Sequence, residues 1–259
     1  MSTLIANSSQ PYLYNDNNVS RMLYCYADHS IDLNYGGSIY TIRPWKIKLL
    51  DLSNNNNTSV LVPTVSYDEQ YGRVALECNP HIVISNSTIK LYYTVGFMKS
   101  DDSPIVYYLC SMTADSLSLT NLTDFTVVQK TFSGTFLTDS ELLFVDKIYG
   151  KDTLVRKTIG STNGSLVPVD TMSLEEILRV TRTFDTNQII ITGKTSQKTY
   201  VSYLLNNDLS IDKKINNSYG MDIYKCSILN NVLAYTVRNE SYNKEDVESR
   251  SIVVENIVN

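Results

Sequence analysis

A chain of 259 residues in which 42% are hydrophobic holds enough apolar side chain for a sizeable core, which excludes a disordered polypeptide. Its 22 Lys and Arg against 27 Asp and Glu leave a formal charge of -5, and no basic run stands out, which excludes a nucleic-acid partner because neutralising phosphates takes clustered cations. No apolar stretch reaches the roughly 18 residues of a membrane span, and residues 1–7 have neither the basic head nor the long apolar segment of a secretion signal.

Tyrosine is the conspicuous residue, with 19 copies. It recurs with Val, Ile and Thr in short alternating runs that suit half-buried strands. The breaks are Asn, Asp and Ser clusters, which turn the chain through their own side chains. In chain order, a short strand is predicted at 3–6, followed by a hairpin of Pro11-Tyr12-Leu13-Tyr14, a polar turn at 15–20 and the apolar run Met22-Leu23-Tyr24-Cys25-Tyr26. Strands at 39–50 and 59–65 come next, with the Asn run 54–57 as a solvated hairpin tip between them. The hairpin returns as Pro80-His81-Ile82-Val83-Ile84, a turn at 85–88, and Leu91-Tyr92-Tyr93-Thr94-Val95. Each time a Tyr stands thirteen residues after the Pro. Strands at 105–112 and 125–130 follow. Looser copies of the hairpin span 134–145, 181–192 and 224–236, trailed by strands at 153–159 and 166–169, at 200–205 and 209–214, and at 251–258. Leu174-Glu175-Glu176-Ile177-Leu178 reads as one short helical turn or as the lead into a strand.

The second strands of these hairpins begin near 22, 91, 142, 189 and 232, at spacings of 69, 51, 47 and 43 residues. A period of about 40–50 residues with variable loops is the size of a propeller blade. The expected fold is all-β: a five-bladed β-propeller of four-stranded blades, one domain over 1–259, with blades near 8–68, 69–130, 131–170, 171–216 and 217–259. The fifth set lacks a strand, and residues 2–7 are expected to supply it. Pairing of the N- and C-terminal strands then closes the ring and removes exposed sheet edges. A β-sandwich of many hairpins is the alternative.

Residues that carry chemistry are sparse. Cys25, Cys78, Cys110 and Cys226 lie far apart with no C-x-x-C pair and are expected as small buried hydrophobes. With two histidines, His29 and His81, a zinc site has little to build on, so neither metal nor cofactor is expected. No nucleophile elbow, phosphate loop or dinucleotide fingerprint occurs. In a propeller, the loops between second and third strands share a face with the starts of the first strands. That face gathers 27–38, with Asp28, His29, Asp32, Tyr35 and Gly36-Gly37, together with 96–104, with Asp101-Asp102, and 239–246. Loops carry function more often than strands do. His29 beside Asp28 reads as an exposed loop pair, and Trp45 as a core residue rather than a sugar-stacking platform.

The segment Asn79-Pro80-His81-Ile82-Val83-Ile84-Ser85-Asn86, followed by Lys90-Leu91-Tyr92-Tyr93-Thr94, resembles a blade-opening motif of the five-bladed glycoside hydrolases of the arabinanase, xylosidase and invertase group (families 43 and 32). Gln10-Pro11-Tyr12-Leu13-Tyr14 resembles the first-blade version. The resemblance implies an Asp base before the first-blade Pro, an Asp that tunes the acid in the second blade, and a Glu general acid opening the third. This chain has Gln10 and Asn79 at the first two positions, and Ser133 within Thr131-Phe132-Ser133-Gly134 at the third. Glycoside hydrolysis takes two carboxyl groups across the scissile bond, and an amide has no basic site with which to replace one. No catalytic residue is therefore expected, with Glu77, Asp28 and Asp32 as the substitute carboxylates. The expected binding face is Gln10, Asn79, Ser133, His29 and Tyr35. The function read from this is a non-enzymatic structural or binding propeller, since fold does not imply function. Its expected setting is a bacteriophage virion, as a tail, collar or fibre-associated component contacting other protein subunits or a glycan, or otherwise the cytoplasm. The alternative is a glycoside hydrolase acting on a plant or bacterial-envelope polysaccharide.

Overall fold

The computed structural model describes residues 3–6, 8–27, 31–35, 38–42, 45–54, 58–60, 67–68, 70–100, 103–167, 173–216, 225–238 and 250–257. These residues form strands and turns, with no helix among them. Blade I is β2 (Ser8–Asp16), β3 (Val19–Ala27), β6 (Trp45–Asp51) and β7 (Thr58–Val60), with a separate ribbon of β4 (Ile31–Tyr35) and β5 (Ser38–Ile42) between β3 and β6. Blade II is β9 (Gly72–Ser85), β10 (Thr88–Met98), β11 (Val106–Ala114) and β12 (Leu122–Lys130), extended by the short β8 (Tyr67–Asp68). Blade III runs β13 (Gly134–Thr138), β14 (Glu141–Ile148), β15 (Lys151–Thr158) and β16 (Gly164–Val167). Blade IV runs β17 (Leu174–Arg182), β18 (Ile189–Thr195), β19 (Tyr200–Leu205) and β20 (Ile211–Ile215). Blade V joins β21 (Cys226–Leu229), β22 (Val232–Arg238) and β23 (Arg250–Asn256) to β1 (Thr3–Ala6) from the other end of the chain.

The all-β, five-bladed expectation holds, and so does the closure. Thr3 pairs with Val254 and Ala6 with Ser251 in an antiparallel ladder, so the first strand of the chain is the outermost strand of the last blade. Of the two readings of 174–178, the lead into a strand holds, because Leu174 pairs with Thr195 and Ile177 with Gly193; cross-strand pairing overrides the helix propensity of Leu and Glu. One local expectation is corrected. Residues 39–50, expected as one strand, belong to two: β5 pairs with β4, and β6 joins the blade.

The recurring Pro and Tyr mark one structural device. Ser9 pairs with Cys25 and Tyr12 with Leu23, so Gln10 and Pro11 together oppose the single residue Tyr24. Cys78 pairs with Thr94 and His81 with Tyr92, so Asn79 and Pro80 oppose Tyr93. Each is a β-bulge, the place in a sheet where a residue without an N–H can sit. Gln10 (φ 60°) and Asn79 (φ 53°) are left-handed. That conformation costs a non-glycine residue roughly 1–2 kcal/mol and is held by the surrounding hydrogen bonds.

The buried apolar side chains form one layer between each pair of neighbouring blades. Tyr12, Leu23 and Ile47 of blade I meet Ile82, Leu91 and Val95 of blade II. Tyr92 and Leu109 meet Phe136 and Phe144 between II and III. Leu143 and Leu154 meet Val180 and Ile191 between III and IV. Ile190 and Leu204 meet Ile228 and Tyr235 between IV and V, and Ala234 and Ile252 meet Leu13 and Met22 at the seam. Each large side chain in these layers contributes about 1.5–3 kcal/mol through burial. All four cysteines are free and buried, as expected of small hydrophobes. Trp45 departs from its expected place in the core: it is half-buried, with the Arg250 guanidinium 5.7 Å from its ring centre.

Candidate functional site

The bulged stretches of β2 and β9, the residue before β13 and the later part of β17 meet where the inner strands surround the propeller axis, called here the axial mouth, and the candidate residues Gln10, Asn79 and Ser133 lie there. Gln10, Asn79 and Ser133 are buried there, with 6%, 4% and 0% of their surface exposed. Each ties its own blade to the next. The Gln10 amide oxygen accepts the Asn79 backbone N–H at 2.5 Å, and the Gln10 N–H donates to the Thr236 hydroxyl at 3.0 Å. Asn79 Nδ2 donates to the Phe132 carbonyl at 2.9 Å, and the Thr94 hydroxyl donates to the same oxygen at 3.0 Å. Ser133 Oγ accepts the Val180 N–H at 2.8 Å and donates to the Val180 carbonyl at 3.3 Å. Asn79 Oδ1 is left buried without a partner.

Arg179, which the sequence reading passed over, crosses the same space. It is fully buried on β17. Its Nη1 donates to the Pro11 carbonyl at 2.8 Å and the Cys226 carbonyl at 3.4 Å, and its Nη2 to the Pro80 carbonyl at 3.3 Å. One guanidinium from blade IV thus joins blades I, II and V. The two prolines of the bulges present their carbonyls to it. Burial lowers its pKa to about 10. Burial also pushes the neighbouring thiols up, Cys78 and Cys226 each to about 11, with the Arg179 charge opposing the rise. A charged residue in the otherwise apolar Ile177-Leu178-Arg179-Val180 was the available signal, because an unpaired arginine is rarely buried.

Deeper along the axis, the Tyr12 hydroxyl donates to the Ile82 carbonyl at 2.9 Å. The His81 ring stacks on Tyr92 with centroids 5.7 Å apart. His81 Nδ1 lies 3.2 Å from the Asn79 carbonyl; a carbonyl only accepts, so Nδ1 carries the proton and Nε2 is a buried lone pair with no partner. Burial first, and the Arg179 and Arg182 charges with it, lower the His81 pKa to about 3. The imidazole is neutral at physiological pH.

Of the three substitute carboxylates, Glu77 is the one whose side chain the structure describes. Glu77 is buried in the layer between blades I and II, where it takes a backbone hydrogen bond from Ile47 and faces the Lys46 charge. Burial raises its pKa to about 7 against those two effects. Asp32 and Tyr35 lie on β4, paired in register with Thr41 and Ser38. Asp28 and His29 are outside the described residues, as are Gly36-Gly37, Asp101-Asp102 and the loop 239–246. Among the described residues, the side chains joined here by hydrogen bonds include the Gln10 and Asn79 amides, the Thr94, Ser133 and Thr236 hydroxyls, the His81 ring and the Arg179 guanidinium. None of these is a carboxyl group of the kind that glycoside hydrolysis takes in pairs.

No family model matches the sequence, and no curated protein matches it. By structure the chain is similar to a thermostable family-43 glycoside hydrolase, at a TM-score of 0.58 and 10% identity over 97% of this chain and 90% of the other. It is similar to the catalytic domain of a GH62 α-L-arabinofuranosidase from Coprinopsis cinerea, at 0.57 and 8% over 96% and 91%. RS223 β-xylosidase gives 0.57 and 8% over 99% and 94%. At such identities the likeness is one of fold: the chain has the five-bladed propeller of these hydrolases.

Proposed function

We propose that the chain is a non-hydrolytic propeller, a structural or binding subunit built on a glycosidase-type scaffold. The observation that carries this reading is the axial mouth. Gln10 Oε1, Asn79 Nδ2 and Ser133 Oγ each bond the backbone of the next blade, and Arg179 joins the bulge carbonyls of Pro11 and Pro80. The hydrolases that share the fold point to a carbohydrate as one class of partner, and a closed axis is compatible with binding that does not cut. The setting proposed is a bacteriophage particle, in which a rigid disc contacts neighbouring subunits of a tail, collar or fibre, or a glycan on the host surface. Co-sedimentation of the purified chain with insoluble plant and bacterial-envelope polysaccharides, and separately with virion proteins, tests this. Retention by either, with the polysaccharide left at full length, is the expected result. A monomer that no polysaccharide and no virion protein retains would end the proposal.

The second reading is a glycoside hydrolase, and one observation favours it. Glu77, with its carboxyl pushed up to about 7, is poised as a general acid is. It faces Lys46 and the Ile47 backbone inside a packed layer, and hydrolysis needs a second carboxylate opposite it. Retained polysaccharide that shortens with time would favour this reading over the first.

A further inference from the structure

A groove of about 320 Å³ opens between blades II and III, at the end of the axis away from Gln10 and Asn79. Its origin lies in the repeat. Tyr14 and Val83 occupy the same position of their blades, pairing with Arg21 and Lys90 across their hairpins. Between blades I and II, Tyr14 is fully buried, its hydroxyl donates to the Leu117 carbonyl at 3.0 Å and its ring lies 5.9 Å from Phe184. Val83 is too short to make such a contact toward blade III. The apolar layer therefore stops at Tyr92 and Phe136, whose rings are 4.8 Å apart and form the groove's inner end.

The groups around that opening are set for hydrogen bonding. Thr88, Lys90 and Tyr92 alternate along β10 and so share the face turned toward blade III. Asp139 stands opposite, fixed by the Ser85 hydroxyl on one oxygen and by Asn86 Nδ2, at 2.8 Å, on the other. Each carboxylate oxygen keeps a free lone pair. Lys90 makes no ion pair among the described residues. Tyr92 is raised to about 12 by burial and by the Asp139 charge, so its hydroxyl stays protonated and can donate.

We infer that this groove is a carbohydrate site that takes one or two neutral pyranose rings. Its volume is at the small end of the roughly 300–1,000 Å³ typical of small-molecule sites. The lining carries one cation and one anion, so neither an anionic nor a cationic ligand gains without meeting its like charge. A wholly apolar ligand would strip water from Lys90, Asp139 and the Tyr92 hydroxyl and return nothing. A pyranose supplies hydroxyl donors to Asp139, acceptors to Lys90 and Tyr92, and a C–H face to the aromatic pair. The site is separate from the axial mouth, and it stands whether or not the chain hydrolyses anything.

The test is an amide chemical-shift titration of the full-length protein with xylobiose, cellobiose, maltose and mannobiose, and with methyl glucuronide as the acidic control. Saturable shifts centred on Asn86, Thr88, Lys90 and Phe136 with at least one neutral disaccharide are expected. Lys90→Ala should weaken that binding roughly tenfold or more, the usual loss for a charge-assisted hydrogen bond. Val83→Tyr should abolish it while the fold is kept, because blade I already holds a Tyr at that position. Three results would overturn the inference: no saturable shift with any neutral probe, a preference for the glucuronide, or binding that survives Val83→Tyr.

Discussion

The axial mouth and the groove between blades II and III share an amide, hydroxyls and one cation, and the groove adds the Asp139 carboxylate and an aromatic end. One is closed and the other open. At the mouth every long polar side chain reaches the backbone of the next blade, and Arg179 is held by three carbonyls from three blades. At the groove, Val83 stands where Tyr14 stands one blade earlier, and Lys90 and Asp139 are left at the opening above the buried Tyr92. The difference teaches that in this propeller the reach of an inner-strand side chain decides whether a gap between blades is sealed by the protein or left for a ligand.

The strongest way to break that comparison is to remove the axial cation. Arg179→Ala leaves the Pro11, Pro80 and Cys226 carbonyls buried without donors and opens a cavity. It is expected to cost about 3–5 kcal/mol in urea unfolding. A loss below about 1 kcal/mol would mean that water satisfies those carbonyls and that the mouth is not sealed by Arg179.

Next comes the Tyr14 and Val83 pair. Tyr14→Val, which imports the groove's residue into the layer between blades I and II, is expected to cost about 2–4 kcal/mol, as large-to-small core changes do. Equal costs for Tyr14→Val and for Val83→Ala would show that the two positions are packed alike, against the comparison.

Two buried titratable groups sharpen it further through pH. The Glu77 pKa is raised in the fold, from 4.5 to about 7. Its contribution to stability is therefore complete below the unfolded value and is lost as pH rises through about 7. The His81 pKa is lowered, from 6.5 to about 3. Its contribution is complete above 6.5 and is lost as pH falls toward about 3. Glu77→Gln should flatten the decline in stability between about pH 4.5 and 7, a change on the order of 2–3 kcal/mol. His81→Gln should flatten the acid limb instead. Unfolding midpoints measured across that range check both, and an unchanged slope in Glu77→Gln would mean that this carboxyl is hydrated. The smallest effect belongs to Val83→Tyr, which should leave stability within about 1 kcal/mol of the unmodified chain.

Much of this architecture is legible in the sequence because a propeller repeats itself. The thirteen-residue interval from Pro11 to Tyr24 and from Pro80 to Tyr93 is the span from a bulge, round a turn, to the residue opposing it. The period of the hairpins gives the blades, and the shortfall in the last set gives the seam. The partners of Arg179 were not legible, because its three acceptors are backbone carbonyls more than 40 residues away, and carbonyls carry no residue-type signal. The β17 segment left two readings open because Leu-Glu-Glu-Ile-Leu is locally helical in composition and only the neighbouring strand decides for the strand. The groove was hidden because it depends on the difference between Tyr14 and Val83, which acquires meaning once both positions are placed between blades.

The central claim is that the axial mouth is built for cohesion rather than hydrolysis, and release of reducing ends tests it most directly. The unmodified chain and the Gln10→Asp/Asn79→Asp variant should be incubated over days with a broad panel of plant and bacterial-envelope polysaccharides. The account predicts no release above the protein-free control from the unmodified chain, and a variant that is less stable because a carboxylate at position 79 would face the Phe132 carbonyl. Sustained release by the unmodified chain, lost on Glu77→Gln, would contradict it and make Glu77 the acid of a working glycosidase.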